Sequence, residues 1–328
     1  MVDWTPFVDL IRRHQRFLLT THVRPDGDGL GSQLALAEVL ETMGKSVRLV
    51  IASTWPPRYD FLDPGKRIER FTAPGDAWRN VDAAIVLDTG TWNQLGDFGP
   101  FLKSLNVAKA VIDHHVTQDD LGATRFVDTT AEATGRLVYE AVQALRVPLP
   151  AQAANMLFVA VAMDTGWFRH PNATAPTFAL AGELVAAGAR PSPLYDQLYE
   201  RNSLAGMKLK GLVMEHMQLA EAGKVAHSEV RRGDYAATGA TPQDSEDLVN
   251  YTRSIAGVEV GLLFMEQPAG GVKVSFRSTG TTDVARIAEQ FGGGGHRAAS
   301  GATVHDALEQ VRTRILAAVH AALTGGTP

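Results

Sequence analysis

In the first half of this chain, short apolar runs alternate with longer segments of helical period, and that alternation limits the fold more than any other feature. Residues 17–21 (FLLTT), 47–52 (VRLVIA), 84–87 (AIVL) and 110–112 (AVI) are apolar and β-branched, and they predict buried strands. Residues 30–43, 134–145 and 152–163 predict helices. In the first of these, Leu30, Leu34 and Ala37 share one side, with Leu36, Leu40 and Met43 beside them, and Gly44 is placed to end the helix. Strands that alternate with helices form right-handed crossovers. The expected class is therefore α/β, a parallel sheet with helices on both faces.

The pattern changes near residue 190. Residues 188–193 (GARPSP) read as a boundary, and 194–222 as a polar, mostly helical stretch. Beyond it, 258–265 and 272–277 flank a turn at 267–271 (QPAGG), as in a hairpin. Residues 282–291 and 306–323 read as helices. A length of 328 residues suits about two domains. The expected organisation is a first domain over 1–190, a helical linker region over 191–222, and a smaller α+β domain over 223–328.

Composition removes several functions. With no cysteine, the chain has no disulfide scaffold, thiolate metal site or cysteine nucleophile. Lys+Arg 31 against Asp+Glu 36 gives a net charge of −5, which argues against a basic face for long duplex nucleic acid. The opening residues, MVDWTPFVDLIRRHQRF, carry charges where a signal peptide needs an apolar run. No uncharged apolar stretch reaches the ~20 residues that span a bilayer. The expectation is a cytoplasmic protein with no membrane partner.

Acidic and histidine residues recur where these runs end. His22, Asp26 and Asp28 follow the first strand, Asp88 follows the third, and Asp113, His114 and His115 follow the fourth. Asp164 ends the apolar helix. Each has an ordinary use as a turn or cap residue. Together they point elsewhere, because ligands of parallel sheets bind beyond the carboxyl ends of the strands. Several carboxylates gathered there repel one another, and divalent cations remove that penalty. Carboxylates with imidazoles suit Mn²⁺ or Mg²⁺, and a pair of such ions suits phosphate-ester hydrolysis.

Two glycine motifs fail on spacing. The third glycine of a dinucleotide fingerprint starting at Gly27 would fall at Ser32, and the first glycine of a Walker loop ending at Ser46 would fall at Val39. The run from Gly292 to Gly295, followed by His296 and Arg297, reads as a phosphate or nucleotide grip, with Arg277 as a further cation.

These motifs, in this order, resemble those of the DHH/DHHA1 phosphoesterase superfamily. The length resembles its stand-alone bacterial oligoribonuclease and pAp phosphatase branch (NrnA-like). The resemblance implies that His22, Asp26 and Asp88 hold one Mn²⁺. Asp28, Asp88, His114 and Asp164 would hold the other, with Asp88 bridging and Mg²⁺ as the alternative ion. It implies that water activated between them attacks phosphorus in line, with His115 at the scissile phosphate. Asp113 would orient a metal-bound imidazole. Arg277, Gly293, Gly294, Gly295, His296 and Arg297 would grip the nucleotide, in a cleft that favours short ligands. The implied substrates are short oligonucleotides, dinucleotides such as pApA, and 3′-phosphoadenosine 5′-phosphate. A homodimer is the implied assembly. The alternatives are a cyclic-dinucleotide phosphodiesterase, a pyrophosphatase or exopolyphosphatase, and a nucleotide-binding regulator without catalysis.

Overall fold

The computed structural model describes residues 2–245 and 247–325, so residue 1 of the expected first domain and residues 246 and 326–328 of the expected second lie outside it. The chain divides into two compact units, Met1–Arg201 and Asn202–Pro328.

The first unit has eight α-helices among its described residues: α1 (Thr5–Arg13), α2 (Gly27–Thr42), α3 (Asp76–Arg79), α4 (Phe98–Ser104), α5 (Thr134–Leu145), α6 (Ala151–Asp164), α7 (Ala175–Ala186) and α8 (Pro191–Tyr199). Its strands are β1 (Arg16–Thr20), β2 (Ser46–Ile51), β3 (Ile68–Arg70), β4 (Ala83–Leu87), β5 (Ala108–Asp113) and β6 (Thr124–Val127). They form one parallel sheet in the order β3-β2-β1-β4-β5-β6. Both faces are covered. Phe17 and Leu19 of β1 enter a core that also holds Leu34, Val138 and Leu157 from α2, α5 and α6. Leu18 enters the opposite core with Phe71, Phe98 and Phe101. Burial on both faces explains why the strands read as unbroken apolar runs.

Strand order reverses between β1 and β4. The chain leaves β1 through α2 toward β2 and β3, then returns to lay β4 on the other side of β1. A crevice opens at the carboxyl ends of the strands at such a switch point. His22 follows β1, Asp88 follows β4 and Asp113 ends β5, so the topology brings three chemistry-bearing segments to one edge.

The second unit contains α9 (Leu204–Glu215), β7 (Gln218–Ala220), β8 (Val225–Val230), α10 (Arg232–Thr238), α11 (Val249–Arg253), β9 (Val260–Glu266), β10 (Val272–Ser278), α12 (Val284–Glu289), β11 (Gly294–His296), β12 (Ala299–Val304) and α13 (Leu308–Leu323). Its sheet is mixed, in the order β11-β12-β10-β9-β8-β7, with β8 and β9 parallel. The expected hairpin is β9–β10. Val284 and Ile315, from α12 and α13, pack with Phe264 and Phe276. Leu209 and Val213 of α9 pack with Leu263 and Met265. The segment 191–222 is shared between the units: Leu194 and Leu198 of α8 join the first core, whereas α9 belongs to the second.

The glycine run differs from an open loop. Gly294–His296 is a strand paired antiparallel with β12. A Cβ on Gly293 would lie 2.2 Å from the Gly301 carbonyl oxygen, and one on Gly295 (φ 142°) 2.6 Å from that of Ala299. Glycine is needed there for strand contact as well as for any approach of a ligand. Among the described residues, no helix is long and apolar enough to cross a membrane.

Candidate metal centre

Eight side chains of the first unit meet at the carboxyl edge of its sheet. His22 and Asp26 flank the turn between β1 and α2, and the Asp26 carboxylate caps α2 by accepting from the backbone N–H groups of Asp28 and Gly29. Asp28 lies one residue inside α2 and is fully buried. Its oxygens accept from the N–H groups of Thr134 (2.7 Å) and Gly135 (2.9 Å), where α5 begins. A helix N-terminus is a natural seat for a carboxylate. Asp88 takes a left-handed backbone (φ 61°) as the chain leaves β4, an uncommon conformation for a non-glycine residue that recurs at functional sites.

The donor atoms fall into overlapping groups. His22, Asp26 and Asp88 form one, Asp28, His114 and Asp164 a second, and Asp88, His114 and His115 a third, each with ligand atoms within 4.8 Å of one another. His22 Nε2 lies 3.3 Å from Asp88 Oδ2, while His114 Nε2 lies 3.6 Å from Asp88 Oδ1. The two oxygens of one carboxylate thus face two imidazoles. His114 Nε2 also lies 3.4 Å from Asp164 Oδ2 and 3.8 Å from Asp28 Oδ2. Ligand bonds of about 2.0–2.2 Å place neighbouring donors roughly 3.0–3.5 Å apart, so small contractions would bring the donors of each group within reach of one ion.

Both imidazoles are oriented for this. His22 Nδ1–H donates to the Val23 carbonyl (3.0 Å), and His114 Nδ1–H to that of Ala131 (3.2 Å). Each Nε2 lone pair is thereby left for the carboxylate cluster. Asp113 does not have the place expected for it beside a metal-binding imidazole. Backbone carbonyls hold those rings, and Asp113 instead accepts from His115 Nδ1–H at 2.8 Å.

The electrostatics follow from this crowding of carboxylates and imidazoles. Burial, together with the charges of Asp88, Asp164 and Asp26, pushes Asp28 well above the usual carboxylate range. Burial raises Asp164 to about 7, with His114 opposing and Asp88 and Asp26 reinforcing. Burial would lower His22, but Asp26 and Asp88 outweigh it and hold the imidazole well above its ordinary value. The hydrogen bond to Asp113 lifts His115 to about 9 against the effect of its burial. Among the described residues, no lysine or arginine pairs with Asp26, Asp28, Asp88 or Asp164. Oxygen donors and imidazoles crowded together in this way fit hard or borderline divalent ions.

The residues expected to bind substrate lie in the second unit. Arg277 sits on β10, where burial lowers its pKa and its Nη1 donates to the Phe276 carbonyl. Gly294, Gly295 and His296 form β11, joined to β10 through β12. The exposed Arg297 guanidinium donates to the carbonyls of Gly280 (3.1 Å) and Thr281 (3.4 Å), so it braces that turn. Sequence reading missed Thr134, whose hydroxyl donates to Asp88 Oδ1 at 2.9 Å. Its place at a predicted helix start was legible, but its carboxylate partners were not.

Residues 16–161 match the DHH family, N-terminal domain, and residues 222–325 match the DHHA1 domain. The chain is 30% identical over 304 residues to the bifunctional oligoribonuclease and PAP phosphatase NrnA of Bacillus subtilis, covering 92% of this chain and 93% of that protein. It is 31% identical to the protein of the same name from Thermus thermophilus, over 93% of this chain and 90% of the relative. The crystal structure of an exopolyphosphatase-related protein from Bacteroides fragilis shares the fold, with a TM-score of 0.90 at 22% identity over 97% of this chain and 95% of that one. With both domain matches and these full-length relatives, the chain belongs to the DHH family of phosphoesterases, its DHH domain followed by a DHHA1 domain.

Proposed function

We propose that this protein is a two-metal phosphoesterase that cuts short oligoribonucleotides to mononucleotides and converts 3′-phosphoadenosine 5′-phosphate to AMP. The observation that carries this reading is Asp88, with one carboxylate oxygen toward His22 and the other toward His114. The names of the Bacillus and Thermus relatives support the substrate class.

His22, Asp26 and Asp88 would hold one divalent ion, and Asp28, Asp88, His114 and Asp164 the other. Imidazole in both sets favours Mn²⁺ over Mg²⁺. When bound, such a pair activates water and neutralises charge on the phosphoryl oxygens. The chain's own residues do the rest. Backbone carbonyls and helix N–H groups fix the ligands before substrate arrives. His115, its Nδ1 held by Asp113, keeps Nε2 for the scissile phosphate and for the leaving oxygen, to which it can pass a proton. Arg277, Gly293, Gly294, Gly295, His296 and Arg297 would bind the nucleotide. In this reading the protein is cytoplasmic and a homodimer, the commonest soluble assembly, which sedimentation equilibrium checks.

The test is a substrate panel with Mn²⁺: a dinucleotide, pApA, 3′-phosphoadenosine 5′-phosphate, cyclic-di-AMP, pyrophosphate and a long RNA. Fast turnover of the first three supports the proposal. Preferred turnover of cyclic-di-AMP or pyrophosphate moves the protein to another substrate class. Binding without any turnover makes it a regulator.

A further inference from the structure

Nothing in the hydrolysis scheme uses Gln118, yet its side chain lies against the part of the site that would touch substrate. Its Nε2 donates to Asp113 Oδ2 at 2.5 Å and to the His115 carbonyl at 3.1 Å. The other oxygen of the same carboxylate, Asp113 Oδ1, accepts from His115 Nδ1 at 2.8 Å and from the His115 backbone N–H at 3.2 Å. Asp113 is fully buried, so its direction is set by these donors. Both atoms that Gln118 reaches are acceptors, and only the NH₂ end of the amide can satisfy them. The Oε1 end is consequently buried without a partner, a cost the fold accepts to aim the donor inward.

The backbone is shaped to allow this. Gly90, two residues after Asp88, forms a parallel bridge with Gln118, and its carbonyl accepts from the Asp119 N–H at 2.8 Å. A Cβ on Gly90 would lie 1.9 Å from Gln118 Oε1, so any other residue there would displace the amide. Asp119 then accepts from the Trp92 N–H at 2.8 Å, and Trp92 Nε1 donates to the Asp120 carbonyl at 3.1 Å. The loops after β4 and β5 are thus fastened together at the point where Gln118 enters.

We infer that Gln118 is a positioning residue: its amide fixes Asp113, and Asp113 in turn holds the ring and the Nδ1–H of His115, leaving Nε2 toward the substrate. This deepens the phosphoesterase reading and rests on it for the reaction, though the positioning itself does not depend on turnover. Gln118→Glu keeps the size but puts an acceptor against Asp113. Gln118→Asn keeps the donor on a shorter arm.

The experiment combines two readouts on Mg²⁺-loaded protein, wild type and both variants, with circular dichroism confirming the fold. Histidine-selective ¹⁵N NMR reports the His115 Nδ1–H and its hydrogen bond, and pApA hydrolysis gives kcat and KM separately. The expected result is a wild-type His115 protonated at Nδ1 and a shifted or lost Nδ1–H signal in Gln118→Glu. Its kcat should fall about 10–100-fold with KM within about threefold. Gln118→Asn should fall in between, and neither change should have a further effect on a His115→Ala background. An unchanged Nδ1–H signal in both variants overturns the inference, as does a loss that adds to that of His115→Ala. If Gln118→Glu does not fold, the Asn variant alone decides by the same signs. A changed Nδ1–H signal in the variants without hydrolysis by wild type supports the positioning and overturns the hydrolase reading instead.

Discussion

At the residue scale, the site places four carboxylates together, with imidazoles but, among the described residues, no lysine or arginine paired to them. The placement at strand ends was legible in the sequence, because His22, Asp26, Asp28, Asp88, His114 and Asp164 each follow an apolar run. What holds them was not legible. The carbonyls of Val23 and Ala131 carry no sequence signal, and Thr134 reaches Asp28 across more than a hundred residues. Thr134→Val removes the hydroxyl donor to Asp88, and metal affinity should fall about 10–100-fold, measured by calorimetry, with little change in fold. The pKa shifts give a second prediction. Asp28, held well above the carboxylate range, and Asp164, at about 7, keep protons in the metal-free fold that the unfolded chain has lost. A group raised by folding stabilises fully below its unfolded pKa and loses that stabilisation as pH rises through the folded one. His22 and His115, at about 9 for the latter, act in the same direction. Metal-free protein should therefore lose stability from about pH 4 to about pH 9, and cations, which replace these protons, should restore more of it at the upper end. His227, lowered by burial, acts oppositely but is common to both samples. The Tm gain on adding Mn²⁺ should be larger near pH 8.5 than near pH 5.5. An equal gain at both would count against the assignment.

At the scale of elements, burial decided what could be read. β1, β2, β4 and β5 lie within the sheet and announce themselves as apolar runs. β3, on the edge, is mostly exposed and gives no such run. β8 is buried at every position, yet its sequence VAHSEV is half polar. It is tolerated because Ser228 donates to the Val213 carbonyl at 2.6 Å and Glu229 pairs with Arg312 and Arg231. Arg231 is local, but Val213 and Arg312 lie 15 and 83 residues away, where no local pattern signals them. The glycine run was legible as special, but its pairing with β12 was not. Gly293→Ala would drive a methyl group into the Gly301 carbonyl and Ala302, where backbone rather than a flexible side chain must give way. Urea unfolding should show a loss of about 1–3 kcal/mol. Metal binding in the first unit should be unchanged.

For the whole molecule, the two-unit division places the candidate metal centre in one compact body and the expected nucleotide contacts in another. A net charge of −5 argues against a long basic track, so binding should depend on a few local contacts. A dinucleotide should be hydrolysed at least roughly tenfold faster than a long RNA of the same composition, and the rate should fall only weakly with salt. Equal rates would mean that substrate length is not sensed. The central claim is that Asp88 serves two metal ions at once, and the most direct test is a count of bound metal. Wild-type protein equilibrated with Mn²⁺ and passed through a desalting column should retain about two ions per chain, whereas folded Asp88→Ala should retain fewer than about one and lose hydrolysis of pApA by roughly a thousandfold. Two ions retained by both proteins, or a single ion in wild type with full activity, would contradict the account.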